Sequence, residues 1–281
     1  MGIGEIGEAL RRSTVHIRGT SPRQQSAGSG VIWDAEGTII TNAHVVGKGA
    51  NWVELWDGRS LPADVKARDD QRDLVKLKLP TTSLPAATFR NNPVRPGELV
   101  IAVGNPLGFT GALTTGIVHA AGPFSGLGRR PWVQAAIRLA PGNSGGPLAD
   151  AAGYVIGINT MIVSGGIALA IPSATVEEFV RNGARPRLGV AVRLVRSNQR
   201  TGLGLLILSV EQDSPAEQAS LLIGDLLIGT QEATFTTGAD LTDALAEADS
   251  GRLKLRFLRG DNPREREVVI CLGDRLTREA A

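Results

Sequence analysis

The sequence predicts a mainly β protein in two parts, a large all-β region followed by a smaller α+β domain. Three observations predict it. From about Ser13 to Ile171, short β-branched and apolar runs are punctuated by glycine, proline and polar turns, with no helical period between them. This region of about 160 residues is large enough for two small barrels packed together, or for a sandwich. Beyond a stretch rich in glycine, proline and arginine, strand-like and helix-like patterns mix.

The elements follow in order. The first eleven or so residues place Ile3, Ile6 and Leu10 on one face of an amphipathic helix, although Gly2, Gly4 and Gly7 lower its helix propensity. Strands are expected at SGVIW (29–33), TIITNAHVV (38–46), WVELW (52–56), DLVKLKL (73–79), LVIAVG (99–104), TTGIVHAAG (114–122), YVIGINTMIV (154–163) and IALAI (167–171). A helix is expected over Ser173 to Asn182, with Pro172 at its start and Gly183 as its C-terminal cap. RNGARPR then reads as a linker, set at 184–187, which divides a first domain at 1–183, with its N-terminal segment 1–12, from a second at 188–281. In the second, LGVAVRLV, GLLILSV, DLLIGT, LKLRFLR and EVVICL read as strands, and SPAEQASL and ADLTDALAEAD as helices.

Composition excludes several function classes. The 281 residues are 42% hydrophobic, as in soluble globular proteins, and no run approaches the roughly 18 apolar residues of a membrane span. Thirty Lys and Arg against 28 Asp and Glu leave a net charge of +2, with no basic stripe interleaved with aromatics, so nucleic acid is not an expected partner. The single cysteine, Cys271, excludes an intramolecular disulfide and reads as a small apolar side chain. Three histidines and one cysteine show no metal-ligand spacing; neither a metal nor another cofactor is expected. MGIGEIGEALRRSTVHI lacks a basic stretch followed by an apolar core, so it does not read as a signal peptide.

The chemistry concentrates in three segments. PGNSGGPL, residues 141–148, holds Ser144 between glycines; this is either a tight loop with an exposed hydroxyl or a nucleophile beside backbone N–H donors. In TNAHVV, His44 follows an apolar strand, and in RDDQRDLVKLKL, Asp73 precedes one. Singly, such a histidine is more often a packed or exposed side chain and such an aspartate more often ends a turn. Jointly, His, Asp and Ser in this order across two all-β halves point to nucleophilic catalysis. A serine hydroxyl is a weak nucleophile at neutral pH and needs a base, the role of His44, while Asp73 against the other ring nitrogen would fix the tautomer. The N–H groups of Gly142 and Ser144, in the loop Gly142, Asn143, Ser144, would face the oxyanion.

TNAHVV, DLVKLK, GNPLG, TTGIV, PGNSGGPL and ALAIPS together resemble the HtrA/Deg family of trypsin-like serine proteases, and the resemblance runs through nearly the whole chain from Ser29. It implies a chymotrypsin-like double β-barrel followed by a PDZ domain, with His44, Asp73 and Ser144 catalytic. It further implies an ATP-independent endopeptidase acting on unfolded proteins in quality control and stress response. Such proteins are commonly homotrimers of the periplasm or cell envelope; a chain starting natively at Met1 would instead be cytoplasmic. In those trimers N-terminal aromatics often fill the interface, and here none precedes Trp33. The alternative function is a latent protease acting as a chaperone-like or peptide-binding protein.

The resemblance also assigns finer roles. Asn143 stands where digestive relatives carry an aspartate that pairs with a newly released amino terminus, which argues against activation by cleavage. Arg138 occupies the position of trypsin's specificity carboxylate, so a preference for small or medium aliphatic side chains is implied, with Ile137, Leu139, Ile158, Asn159 and Thr160 as candidate pocket walls. GPFSGLGRR resembles the family's sensor loop, with Arg129 as its arginine, or else is a plain glycine-rich surface loop. Ala136, where many relatives have aspartate, and a shortened loop between Arg130 and Gln134 depart from the family pattern. RLGV resembles the carboxylate-binding loop of PDZ domains, whose donors would be the N–H groups of Leu188, Gly189 and Val190; a degenerate PDZ domain that only packs is the alternative. QEATF replaces the usual Asn-Gly turn, implying that this turn is remodelled.

Overall fold

A computed structural model describes residues 2–21, 24–47, 49–106, 109–125, 127, 130–184, 186–197, 202–248, 251–260 and 264–272. The chain divides into two compact units, Met1–Ala184 and Arg185–Ala281.

The first unit contains two closed antiparallel barrels. β1 (Thr14–Ser21), β2 (Gln24–Ile32), β3 (Thr38–Thr41), β4 (Asn51–Glu54), β5 (Ser60–Asp69) and β6 (Leu74–Lys78) close in the order β1-β2-β3-β6-β5-β4. β7 (Leu99–Gly104), β8 (Ala112–Pro123), β9 (Pro131–Ile137), β10 (Pro147–Asp150), β11 (Val155–Ile162) and β12 (Ile167–Pro172) close in the order β10-β11-β12-β9-β8-β7. This is the chymotrypsin-like arrangement, and closure leaves neither sheet an open edge.

Continuous apolar runs, rather than clean alternation, follow from burial on both strand faces. Ile32, Ile39 and Val75 fill the first barrel, whereas their neighbours Val31, Ile40 and Leu74 join a second cluster with Ile101, Val103 and Leu169 from the other barrel. The second barrel's interior is built from the alternate residues Val100, Ala102, Ala168 and Ala170. The seam between the barrels is therefore a hydrophobic core of its own.

Two helices close over this seam. Despite its glycines the N-terminal segment forms α1 (Ile3–Arg12), which buries Ile6 and Leu10 and packs on β1 and β7. Glu8 bonds Arg11 and Arg12 along the helix, and these guanidinium groups lower its pKa to about 2. α2 (Ser173–Asn182) buries Val176 and Phe179 in the seam and ends at Gly183, whose φ is 71°.

The second unit is a five-stranded antiparallel sheet of β13 (Val190–Ser197), β14 (Gly202–Val210), β15 (Leu226–Thr230), β16 (Arg252–Leu258) and β17 (Glu265–Cys271), in sequence order, so β13 is an edge. α3 (Pro215–Gln218) is a single turn at the start of SPAEQASL, and α4 (Gly238–Glu247) is capped by Thr237 and Asp240. Its core gathers Leu205, Ile207, Leu227, Phe235, Leu241, Leu245, Leu255 and Ile270. At QEATF the chain turns with Thr230 N–H bonded to Ala233 O at 2.8 Å. Cys271 is exposed, contrary to the packed side chain expected, because on β17 the alternate residue Ile270 takes the inward position. Among the described residues no helix is long and apolar enough to cross a membrane.

Candidate active site

β3 ends at Thr41, short of the strand expected through Val46, and the chain makes a single 3-10 turn over Ala43–Val45. Ala43 and Val45 turn into the first barrel's core, which leaves His44 between them facing outward. Arg68 satisfies the turn's carbonyls, donating to Ala43 O at 2.9 Å and to Val46 O at 3.0 Å. Asp73 lies immediately before β6 with φ 57°, a left-handed conformation that costs a non-glycine residue about 1–3 kcal/mol. Asn42 Nδ2 holds its carbonyl at 3.0 Å.

This backbone aims the Asp73 carboxylate at His44. Oδ1 accepts the His44 backbone N–H at 3.1 Å and lies 3.0 Å from Nδ1; Oδ2 lies 2.9 Å from Nδ1 and accepts Thr160 Oγ1–H at 2.6 Å. A carboxylate only accepts, so the imidazole proton belongs on Nδ1 and the lone pair of Nε2 is free. Burial opposes ionisation of Asp73, but the hydrogen bonds from His44 and Thr160 outweigh it and hold the carboxyl below its ordinary pKa.

Ser144 lies on the turn between β9 and β10. Gly142 has φ 104°, and a Cβ there would lie 2.6 Å from Asn105 O, so only glycine fits. Asn143 is buried and turned inward, its backbone N–H and Nδ2 both donating to Ala140 O at 3.1 and 2.9 Å. Its N–H is thus occupied, and it supplies no oxyanion donor. Gly145 N–H bonds Asn159 O at 2.8 Å and Gly146 N–H bonds Asn143 O at 3.0 Å. The N–H groups of Gly142 and Ser144 have no acceptor among the described residues. Ser144 Oγ donates to Thr160 O at 3.0 Å, and no hydrogen bond joins it to His44 among the described residues.

Beside Ser144 is a cavity of about 270 Å³. Of the candidate pocket walls, Leu139, Asn159 and Thr160 line it, whereas Ile137 and Ile158 are buried in the core and Arg138 is exposed outside it. The wall is completed by Ala140, Pro141, Met161 and Ile162, which sequence reasoning missed. A register shift between Asn159 and Met161 re-aims the end of β11, and no periodicity announces such a bulge. Among the described residues no carboxylate lines the cavity, so none of them favours a cationic side chain there.

Arg129 lies outside the described residues. Arg130 stacks over Trp132 at 3.8 Å and donates to Gln71 O at 2.7 Å, reaching the loop that carries Asp73. Its burial lowers its pKa, against the fields of Asp73 and Asp69. Ala136 faces outward on β9.

In the second unit, Leu188 O accepts Ala216 N–H at 2.9 Å and Gly189 O accepts Glu211 N–H at 2.8 Å, leaving the N–H groups of Leu188 and Gly189 without an acceptor among the described residues. Gly189 has φ 78°, and a Cβ would lie 2.2 Å from Ser214 Cβ. The loop feeds the edge strand β13, beside which α4 packs. An extended peptide could add to that edge.

The family model of the trypsin-like peptidase domain matches residues 28–158, and that of the PDZ domain matches residues 186–270. The chain belongs to the HtrA/Deg family. HhoB of Synechocystis sp. is 33% identical over 273 residues, covering 86% of this chain and 65% of that protein. The Brucella suis protein named "Probable periplasmic serine endoprotease DegP-like" is 35% identical over 272 residues, covering 89% and 53%. The chain thus spans between about half and two thirds of these HtrA/Deg relatives. The solved structure "HtrA-type protease AlgW with decapeptide" superposes with a TM-score of 0.70 at 27% identity, over 96% of this chain and 98% of that one.

Proposed function

We propose that this chain is an ATP-independent serine endopeptidase that cleaves unfolded or misfolded proteins in protein quality control, as a homotrimer regulated by C-terminal peptides held on its PDZ domain. One observation carries the reading: His44 Nδ1 lies 2.9 Å from Asp73 Oδ2, on a carboxylate that Thr160 ties to the loop system of Ser144 and its unengaged N–H groups.

In this mechanism Ser144 Oγ turns from Thr160 O to His44 Nε2, gives it the proton and attacks the scissile carbonyl carbon. Ionised Asp73 stabilises the imidazolium without taking its proton, and the N–H groups of Gly142 and Ser144 receive the oxyanion. Collapse breaks the C–N bond, His44 returns the proton to the departing amine, and water, deprotonated by His44, hydrolyses the acyl-enzyme. The cavity lined by Leu139, Met161 and Ile162 supports acceptance of small or medium aliphatic side chains.

The test compares the chain with Ser144→Ala on reduced, unfolded casein without nucleotide, with and without peptides bearing free C-termini. The wild type is expected to cleave and the variant to lose about 10⁶ in turnover. Absence of cleavage under every condition overturns the reading. The second reading, a latent protease that mainly binds peptides or unfolded chains, is favoured by the hydroxyl of Ser144 being turned to Thr160 O. Cleavage that starts only on peptide addition would join the two.

A further inference from the structure

Ser29 is fully buried on β2, far in sequence from the Ser144 loop, yet it holds that loop at two points. Its backbone N–H donates to Ser144 O at 2.8 Å and its Oγ donates to Gly142 O at 2.7 Å. The same hydroxyl accepts Asn105 N–H at 2.9 Å and Asn105 Nδ2–H at 3.3 Å. A serine hydroxyl offers one donor and two acceptor sites, so all three are used. Both groups of Asn105 are donors, so among the described residues Gly142 O is the acceptor for the hydroxyl proton.

The orientation of Asn105 is itself fixed. Its Oδ1 accepts Gly111 N–H at 2.9 Å and its Nδ2 also donates to Val15 O at 3.0 Å. Ser29 O accepts Thr41 Oγ1–H at 2.6 Å, at the end of the strand that leads to His44. Ser29 thus joins the base-bearing segment of one barrel to the nucleophile loop of the other.

We propose that Ser29 is a positioning residue for the oxyanion hole, an inference that rests on the endopeptidase reading. Gly142 has no Cβ to restrict its backbone, so the peptide plane after it, which joins the two planes that carry the Gly142 and Ser144 N–H groups, can rotate easily and re-aim them. The bond from Ser29 Oγ fixes one side of that plane at Gly142 O, and the bond from Asn143 N–H to Ala140 O fixes the other. With Ser144 O also held by Ser29, the N–H groups of Gly142 and Ser144 are the donors left for an incoming oxyanion. Loss of the hydroxyl leaves the plane held on its N–H side alone and leaves Asn105 N–H without its acceptor.

Ser29→Ala in the full chain is expected to lower kcat by about 10–10²-fold with KM within about twofold, the signature of an interaction made in the transition state. Affinity for a peptide boronate, whose tetrahedral adduct occupies the hole, should fall by a similar factor. Binding of the same peptide without the boronate, measured in the Ser144→Ala background, should not change; equal weakening of both ligands would make the role merely structural and overturn the proposal. Ser29→Cys fills the site with a slightly larger group that is only a weak donor and is expected to behave like Ser29→Ala, so it decides the matter if the alanine variant does not fold. A crystal structure of either variant should show Gly142 O rotated away from position 29. Wild-type kcat in a folded variant, or Gly142 O unmoved, overturns the proposal. A wild-type chain inert toward every substrate would overturn the endopeptidase reading instead, and the position of Gly142 O would still decide this one.

Discussion

Asp73 is the residue on which the geometry of His44 depends, because both of its oxygens contact that residue. Asp73→Asn places an NH2 group against the Nδ1 proton, which favours the other tautomer and removes the free lone pair of Nε2. Turnover is expected to fall by about 10⁴ with the fold intact, read as kcat and KM at neutral pH. The same residue sets an acid limb of stability. Its folded-state pKa is depressed by hydrogen bonds from His44 and Thr160 that outweigh burial. The ionised group therefore stabilises the fold above its unfolded-state pKa of about 4, and this contribution is lost as pH falls through the depressed value. Thermal unfolding scans should show the Tm of the wild type falling more steeply below about pH 4 than that of Asp73→Asn. Parallel acid limbs would count against that assignment.

Among the elements, α2 and the loop before β6 are held together by the buried guanidinium of Arg72, which pairs with Asp69 on its own side and reaches Gly183, Phe179 and Glu178 on the other. The side chains of Arg72 and Asp69 are 5% and 3% exposed; Arg72 Nε donates to Asp69 at 2.7 Å and Nη2 to Gly183 O at 3.0 Å, with the guanidinium over Phe179. Arg72→Ala removes the buried pairing with Asp69 together with the bond to Gly183 O and the contact with Phe179, so a loss of about 3 kcal/mol or more is expected in denaturant unfolding. It should also lower kcat, since Asp73 is the next residue. At this scale the sequence was unevenly legible. Strands buried on both faces, such as β3, β7 and β12, announce themselves as continuous apolar runs. β5 did not, because Pro62 and a row of charged, outward residues mask a strand whose fully buried positions are few. β10 is only four residues long, β9 is alanine-rich, and β1 is interrupted by Arg18 and Gly19. His44, Asp73 and Ser144 could be named because the chemistry prescribes their types. Ser29 and Asn42 could not, nor could the bond from Thr160, named only as a pocket wall, to Asp73: a lone hydrogen-bonding side chain has no signature until its partners are brought to it.

For the whole molecule, each unit has its own core, since among the described residues those that fill the barrels and their seam all belong to the first unit and a separate cluster fills the second. Calorimetry of the full chain is therefore expected to resolve two transitions. A peptide with a free C-terminus, adding to the open edge of β13, should raise the transition of the second unit by RT ln(1 + [L]/Kd), about 2.7 kcal/mol at one hundred times Kd. Main-chain pairing along β13 depends little on peptide sequence, so under the proposed reading the terminal carboxylate adds affinity through N–H groups that neutral ligands use less well. Amidating the peptide should therefore weaken binding by about tenfold or more. Gly189→Val should abolish the shift altogether, because a Cβ at φ 78° would lie 2.2 Å from Ser214 Cβ and the loop cannot keep its shape. If the amidated peptide bound equally well, the edge of β13 would remain a docking strand, but the Leu188–Val190 loop would not be its carboxylate site.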